Sequence, residues 1–216
     1  MQNPTDLRQA VIETCLWLRE NNYIFGTWGN ISVRLICGNY LMTPSRLDYS
    51  EMTVEDLVII SKDGDIVKGF RKPTSEVELH RRILNKRPDI GALIHTHSKY
   101  ATAVSITGNG IPALTEEMCQ LLGGDIPITS RFVPSEKHVE LGTEAADSLG
   151  FKNALLIRNH GVISCGHNLE EAKVGCQIIE KSAEIYLSLN GYPIDKIEQQ
   201  WVEAARNYYL YSYGKK

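Results

Sequence analysis

Leu57 to Ser61 and Asp65 to Val67 are short apolar segments separated only by Lys62-Asp63-Gly64. Ala154 to Arg158 and Val162 to Ser164 are separated only by Asn159-His160-Gly161. Connections this short turn a strand back on its neighbour but cannot carry a parallel crossover, which needs a dozen residues or more. Antiparallel neighbours are therefore built into the chain. Between and around these strands, apolar residues recur at helical spacing. The spacing predicts helices over Thr5–Asn21, from Pro73 to about Lys86, over Tyr100–Ile106, Glu116–Leu122, Glu136–Leu149 and Asn168–Leu189, and from Ile194 to about Tyr209. Further strands are expected in the run after Gly-Thr-Trp-Gly, at Tyr40–Thr43 and at Ile90–His95. Helices alternating with hairpin-joined strands predict an α/β fold. The expectation is one α/β/α domain over residues 1–216, its central sheet mixed but mainly antiparallel and flanked by helices.

A chain of 216 residues buries enough surface to fold without a disulfide or a metal, so a metal here would serve chemistry. The five cysteines, Cys15, Cys37, Cys119, Cys165 and Cys176, are odd in number and form no CxxC pair. That points to a reducing, cytoplasmic setting. The polar start MQNPTDLRQAVIE has no apolar h-region, so no signal peptide is expected, and no apolar run approaches a membrane span. A net charge of −3 gives no basic face for nucleic acid.

The sharpest chemical feature is Leu93-Ile94-His95-Thr96-His97. Residues i and i+2 of a strand share a face, so His95 and His97 present two imidazoles side by side at a strand exit. Asn159-His160-Gly161 adds a third imidazole in a tight turn, and Glu76 adds a carboxylate at a helix start. Three imidazoles and a carboxylate suit one Zn²⁺, or another borderline ion such as Mn²⁺ or Co²⁺. Each residue also has an ordinary role open to it: Glu76 compensating a helix dipole, His160 bonding within its turn. His80 stands four residues after Glu76, and with His138 and His167 it is expected at the surface.

Three segments are suited to an anion. Gly29-Asn30-Ile31-Ser32 combines close backbone approach with amide and hydroxyl donors. Thr43-Pro44-Ser45-Arg46 lies at a strand end. Thr74-Ser75 opens a helix, where free N–H groups favour phosphate, and Ser75 adjoins Glu76. Such residues also make ordinary turns and caps.

Taken in order, GTWGNIS, MTPS, KPTSE, ALIHTHSKYATAVS, IPALTEE with LLGG, and RNHGVISCG resemble the class II aldolase/adducin family. The resemblance runs from about Gly26 to Gly166. It implies a single α/β/α domain, assembly as a homotetramer with active sites between subunits, and a metal held by Glu76, His95, His97 and His160, with Glu76 also acting as acid and base. It places a phosphate against Gly29, Asn30, Ser45, Thr74 and Ser75. It also implies a C-terminal tyrosine reaching a neighbouring subunit's site; Tyr213 in Ser212-Tyr213-Gly214 fits, with Tyr208, Tyr209 and Tyr211 close by. The implied reaction is retro-aldol cleavage of a short ketose 1-phosphate, of the fuculose 1-phosphate type, to dihydroxyacetone phosphate and an aldehyde through a metal-stabilised enediolate.

Two departures bear on substrate. Where the family's aldolases have TPTG or TPSG, this chain has Arg46, whose guanidinium either contacts a phosphate or carboxylate or points away. Thr115-Glu116-Glu117-Met118 carries carboxylates where a tyrosine is usual; Glu117 is either an extra acid/base or plain helix-end charge. A decarboxylase or dehydratase on the same fold is the alternative. An isomerase of the ribulose-phosphate 4-epimerase branch carries aspartates where this chain has Glu76 and Gln120. A non-catalytic head domain is disfavoured by the intact ligand set.

Overall fold

The structure is a computed structural model and describes residues 4–214. Seven strands form one sheet: β1 (Asn30–Arg34), β2 (Tyr40–Met42), β3 (Val58–Ile60), β4 (Ile66–Lys68), β5 (Ala92–Thr96), β6 (Ala154–Ile157) and β7 (Gly161–Gly166). Their order is β4-β3-β2-β1-β5-β7-β6, and every neighbouring pair is antiparallel. Both predicted hairpins form, joined by five residues between β3 and β4 and by three between β6 and β7. The only parallel pairing among the described residues is an isolated bridge, Ile128 to Leu156.

Helices α1 (Pro4–Glu20), α2 (Val77–Lys86), α3 (Lys99–Thr107), α4 (His138–Leu149), α5 (Leu169–Ser188) and α6 (Gln199–Tyr211) complete the fold. The two sheet faces carry different cores. Leu93, Ile163, Met42 and Val58 pack under Leu79, Ile83 and Leu84 of α2 and Leu141, Ala145 and Leu149 of α4. On the other face, Ile31, Val33 and Ile94 pack on Val11, Cys15 and Leu18 of α1, and Ala154, Leu156 and Val162 pack on α3 and α5. The central β5 is buried along its whole length because helices cover both faces. Asn168 caps α5, accepting from the Glu171 N–H at 2.9 Å. All five cysteines are free thiols, and only Cys37 is exposed. Among the described residues, no helix is long and apolar enough to cross a membrane.

Three expected elements are corrected. The helix expected from Pro73 begins at Val77. Pro73 instead bridges Pro44, and the Thr74 N–H bonds the Thr43 carbonyl at 3.0 Å, so strand-like pairing takes the residues that would have opened the helix. The last helix begins at Gln199 rather than Ile194. The Ile197 N–H is committed to the Ala113 carbonyl at 2.9 Å, and its side chain packs with Ala113, Cys119 and Val202. Met118–Leu122 is a single π-helical turn, closed by Gly123 in the left-handed region.

Candidate metal centre

Strand pairing assembles the centre. In β5 His95 shares a face with Leu93, and β1 pairs Asn30 directly with His95. His97 follows the last residue of β5, two positions on from His95. His160 sits in the β6–β7 turn, which Asn159 enters with φ of +54°. Gly161 seats that turn against β5: a Cβ there would lie 2.4 Å from the Thr96 carbonyl oxygen and 3.1 Å from His95 Cε1. Only glycine lets the turn come close enough to bring His160 to the strand-end pair.

The three rings meet with centroids 4.8 to 5.0 Å apart. One ligand atom from each lies within 4.8 Å of the others. Glu76 closes the set from the N-terminal end of α2, with Oε2 3.4 Å from His95 Nε2 and Oε1 3.4 Å from His160 Nε2. Glu76 is 8% exposed, and its Oε1 is buried with no hydrogen-bond partner among the described residues.

The donors fit a divalent cation. His95 Nδ1 lies 3.0 Å from the Val162 carbonyl, which can only accept, so Nδ1 carries the proton. Burial, reinforced by His160, pushes the His95 imidazole down to about 3, so the ring is neutral. Burial also pushes His97 down to about 3, helped by His95 and His160. Neutral His95 therefore turns the Nε2 lone pair inward, toward a carboxylate that can only accept. Two acceptors this close repel unless a cation or a proton lies between them. Inward-facing imidazoles beside an orphaned buried carboxylate oxygen are a donor set that could hold a divalent cation.

The anion segments converge beside it. Thr43 joins all three: its hydroxyl accepts from the Ile31 N–H at 3.2 Å, and its carbonyl accepts from the Thr74 N–H. Gly29 takes φ of +126°, and its carbonyl accepts from the Tyr49 hydroxyl at 2.6 Å. The Thr74 hydroxyl accepts from the Glu76 N–H at 3.2 Å, so Thr74 supplies neither a free N–H nor a helix cap, contrary to expectation. Ser45 commits its N–H to the Lys72 carbonyl at 3.0 Å. The side chains of Ser75, Arg46 and Lys72 are exposed and have no hydrogen-bond or ion-pair partner among the described residues.

Arg46 has φ of +59°, the left-handed region that disfavours a side chain, at the position that a TPTG or TPSG loop fills with glycine. Backbone strain of this kind is retained at functional sites. Arg46→Gly is expected to stabilise the fold by roughly 0.5–1 kcal/mol in urea denaturation. It is also expected to weaken protection by inorganic phosphate roughly tenfold, the value of a lost charged hydrogen bond. Greater stability with unchanged phosphate binding would make Arg46 a bystander.

Other expected residues fall elsewhere. Glu117 is held by Lys181 of α5 at 2.5 Å. Tyr213 lies just past α6, 58% exposed, with its ring against Tyr208 and Tyr209. Gln120 donates to Glu116 at 3.1 Å. His138 and His167 are exposed, as expected. His80 is not: it is fully buried on the inner face of α2, bonded to Ser32 and Asn30. A sequence signal for this existed, since His80 precedes Ile83 and Leu84 by three and four residues and so lies on the helix's apolar stripe.

The chain matches the family described as Class II Aldolase and Adducin N-terminal domain over residues 9–187, and it belongs to that family. It is 36% identical over 164 residues to a 5-deoxy-D-ribulose 1-phosphate aldolase of Bacillus thuringiensis serovar kurstaki, covering 74% of this chain and 75% of that one. It is 34% identical over 182 residues to the L-fuculose phosphate aldolase of Escherichia coli, covering 84% and 83%. A solved L-fuculose 1-phosphate aldolase superposes with a TM-score of 0.89 at 29% identity, over 98% of this chain and 99% of the other. Within its family the chain is thus an enzyme, a lyase acting on carbon–carbon bonds.

Proposed function

We propose that the chain is a metal-dependent aldolase that cleaves a short ketose 1-phosphate to dihydroxyacetone phosphate and an aldehyde. The observation that carries this reading is the orphaned Glu76 Oε1, set among inward-facing imidazoles and one residue from an exposed hydroxyl in the anion segments. Relatives named for ketose 1-phosphates support it, though they differ in the sugar. Residues 1–216 act as one cytoplasmic domain, in a homotetramer whose sites lie between subunits.

Glu76, His95, His97 and His160 would hold a divalent ion, for which Zn²⁺ fits the donors best and Mn²⁺ or Co²⁺ would also serve. Bound there, a divalent ion supplies Lewis acidity to the charge that develops on the ketone oxygen during cleavage. Gly29, Asn30, Ser45, Arg46, Thr74 and Ser75 line the phosphate segment. Arg46, Ser45 and Ser75 hold the ketone half while its bond to the aldehyde half breaks, and Gly29, Asn30 and Thr74, whose polar groups are bound to protein, shape the wall behind them. Glu76 delivers a proton to the carbon that loses that bond. The Tyr213 phenol of a neighbouring copy passes the proton leaving the hydroxyl at the aldehyde end on to solvent, and Glu76 takes up from solvent the proton it delivers, so one proton leaves and one arrives. Glu117 is left out because Lys181 occupies its carboxylate.

The unpaired Arg46 favours one second reading, a lyase acting on a phosphorylated sugar acid. The deciding experiment is a panel of ketose 1-phosphates and phosphorylated hydroxy acids, with metal content measured on the same sample. Release of dihydroxyacetone phosphate, with near one equivalent of divalent metal per chain, is the expected result. CO₂ or a dehydration product from an acid, with no release from any ketose 1-phosphate, would establish the second reading instead.

A further inference from the structure

Four polar side chains run in single file to the metal centre. Ser32 Oγ lies 2.6 Å from His80 Nδ1, His80 Nε2 bonds Asn30 Oδ1, and Asn30 Nδ2 donates to Glu76 Oε2 at 2.7 Å. All four are buried, Ser32 and His80 completely. Their alignment is a coincidence of two periods. Glu76 and His80 are four residues apart, about 6 Å along a helix. Asn30 and Ser32 are two apart, about 6.7 Å along a strand. A helix laid over β1 therefore brings each pair into register with the other.

The hydrogens in this file follow from the chemistry at its end. Glu76 only accepts, so the Asn30 amide must turn its NH₂ toward it and its oxygen toward His80. Asn30 Oδ1 only accepts, so His80 must carry its proton on Nε2. Nδ1 is then a lone pair, and the Ser32 hydroxyl donates to it. Burial pushes His80 down to about 3, so the ring stays neutral and has a single proton to place. With an ionised Glu76 at its end, every donor in the file points toward Glu76.

We propose that His80 and Ser32 are positioning residues of the metal centre: they lock the Asn30 amide so that it presents only its NH₂ to Glu76. The inference rests on the reading of Glu76 as a ligand and proton carrier. An unlocked amide can turn over and present its oxygen to the carboxylate, repelling it. With the lock in place, Oε2 is held on one side and Oε1 is left facing His160. The file ends on a buried serine, so it orients Glu76 and conducts no proton to solvent.

Two conservative variants separate this role from simple core filling. Glutamine places its amide nitrogen where Nε2 stands and can still donate to Asn30; asparagine is shorter and reaches only the position of Nδ1. Each variant is loaded with Co²⁺; its visible spectrum and the rate of metal loss to a chelator are then measured. His80→Asn is expected to release metal roughly 10- to 100-fold faster with altered ligand-field bands, while His80→Gln stays close to the parent protein. Ser32→Ala, a milder change at the far end, should shift both readouts in the same direction as His80→Asn. Equal behaviour of His80→Asn and His80→Gln, or parent-like metal release in folded His80→Asn and Ser32→Ala, would overturn the inference. A parent protein that takes up no Co²⁺ or Zn²⁺ would overturn the metal reading and this inference with it. Metal uptake without aldol cleavage would remove the substrate assignment alone, because both readouts are independent of turnover.

Discussion

Glu76→Gln is expected to lower aldol turnover roughly 10²- to 10⁴-fold in protein that still folds and still holds metal. The substitution keeps the shape of the side chain. An amide oxygen can accept from Asn30 Nδ2 as Oε2 does, while the amide NH₂ takes the place of Oε1 opposite His160. The fold therefore has little reason to fail. A neutral amide, however, does not act as an acid or base at these pH values, and it no longer supplies the negative charge among three imidazoles. Metal affinity should fall, because the carboxylate is the only anionic group in the set. Turnover must therefore be measured at saturating metal, with content determined on the same sample. Loss of turnover at full metal occupancy assigns the proton transfer to Glu76. Near-parent turnover in the metal-loaded variant would remove Glu76 from that role and leave it a ligand only.

The residues of the site were unevenly legible in the sequence. His95 and His97 were readable because period two is a local property of a strand, and β5 carries no ambiguity of register between them. His160 was readable because a three-residue connection between strands has to be a turn. The neighbour of His95 was another matter. Asn30 lies opposite it only because β1 inserts between β2 and β5, an order that local pattern does not dictate. Without that adjacency, Asn30 looked like a residue for substrate, and His80 looked like a polar residue on a surface. In the structure both ends of the Asn30 side chain are bound to protein, and His80 is completely buried. The misplaced helix starts have the same origin. Pro73-Thr74 and Ile197 have good local reasons to be helical, but each pairs with a segment far away in sequence. Non-local hydrogen bonds won in both places. The sheet's antiparallel character was legible because hairpin length is local; its strand order was not.

Metal-free protein is expected to lose about 4 kcal/mol of stability between pH 7 and pH 5, through His80 and His95. Both rings are completely buried, and burial pushes both down to about 3. In the unfolded chain the same rings titrate near 6.5. Between these values the unfolded chain holds protons that the folded chain does not. Stability then rises with pH; it is fully present above 6.5 and is lost as the pH falls toward 3. At pH 5 each ring lies about 1.5 pH units below its unfolded midpoint, a loss of about 2 kcal/mol apiece. His97 is pushed the same way but is partly exposed, and it adds less. Carboxylates scarcely titrate in this window, so the histidines dominate it. A loss of this size is a large share of the roughly 5–15 kcal/mol that holds a domain folded. Urea denaturation of chelator-treated protein at the two pH values measures it. His80→Gln cannot take up that proton, so its stability should fall by about 2 kcal/mol less over the same interval. A denaturation midpoint that does not move between pH 7 and pH 5 would mean that these imidazoles reach water in the folded protein. The buried, neutral arrangement on which the metal site and the Asn30 lock both depend would then be wrong.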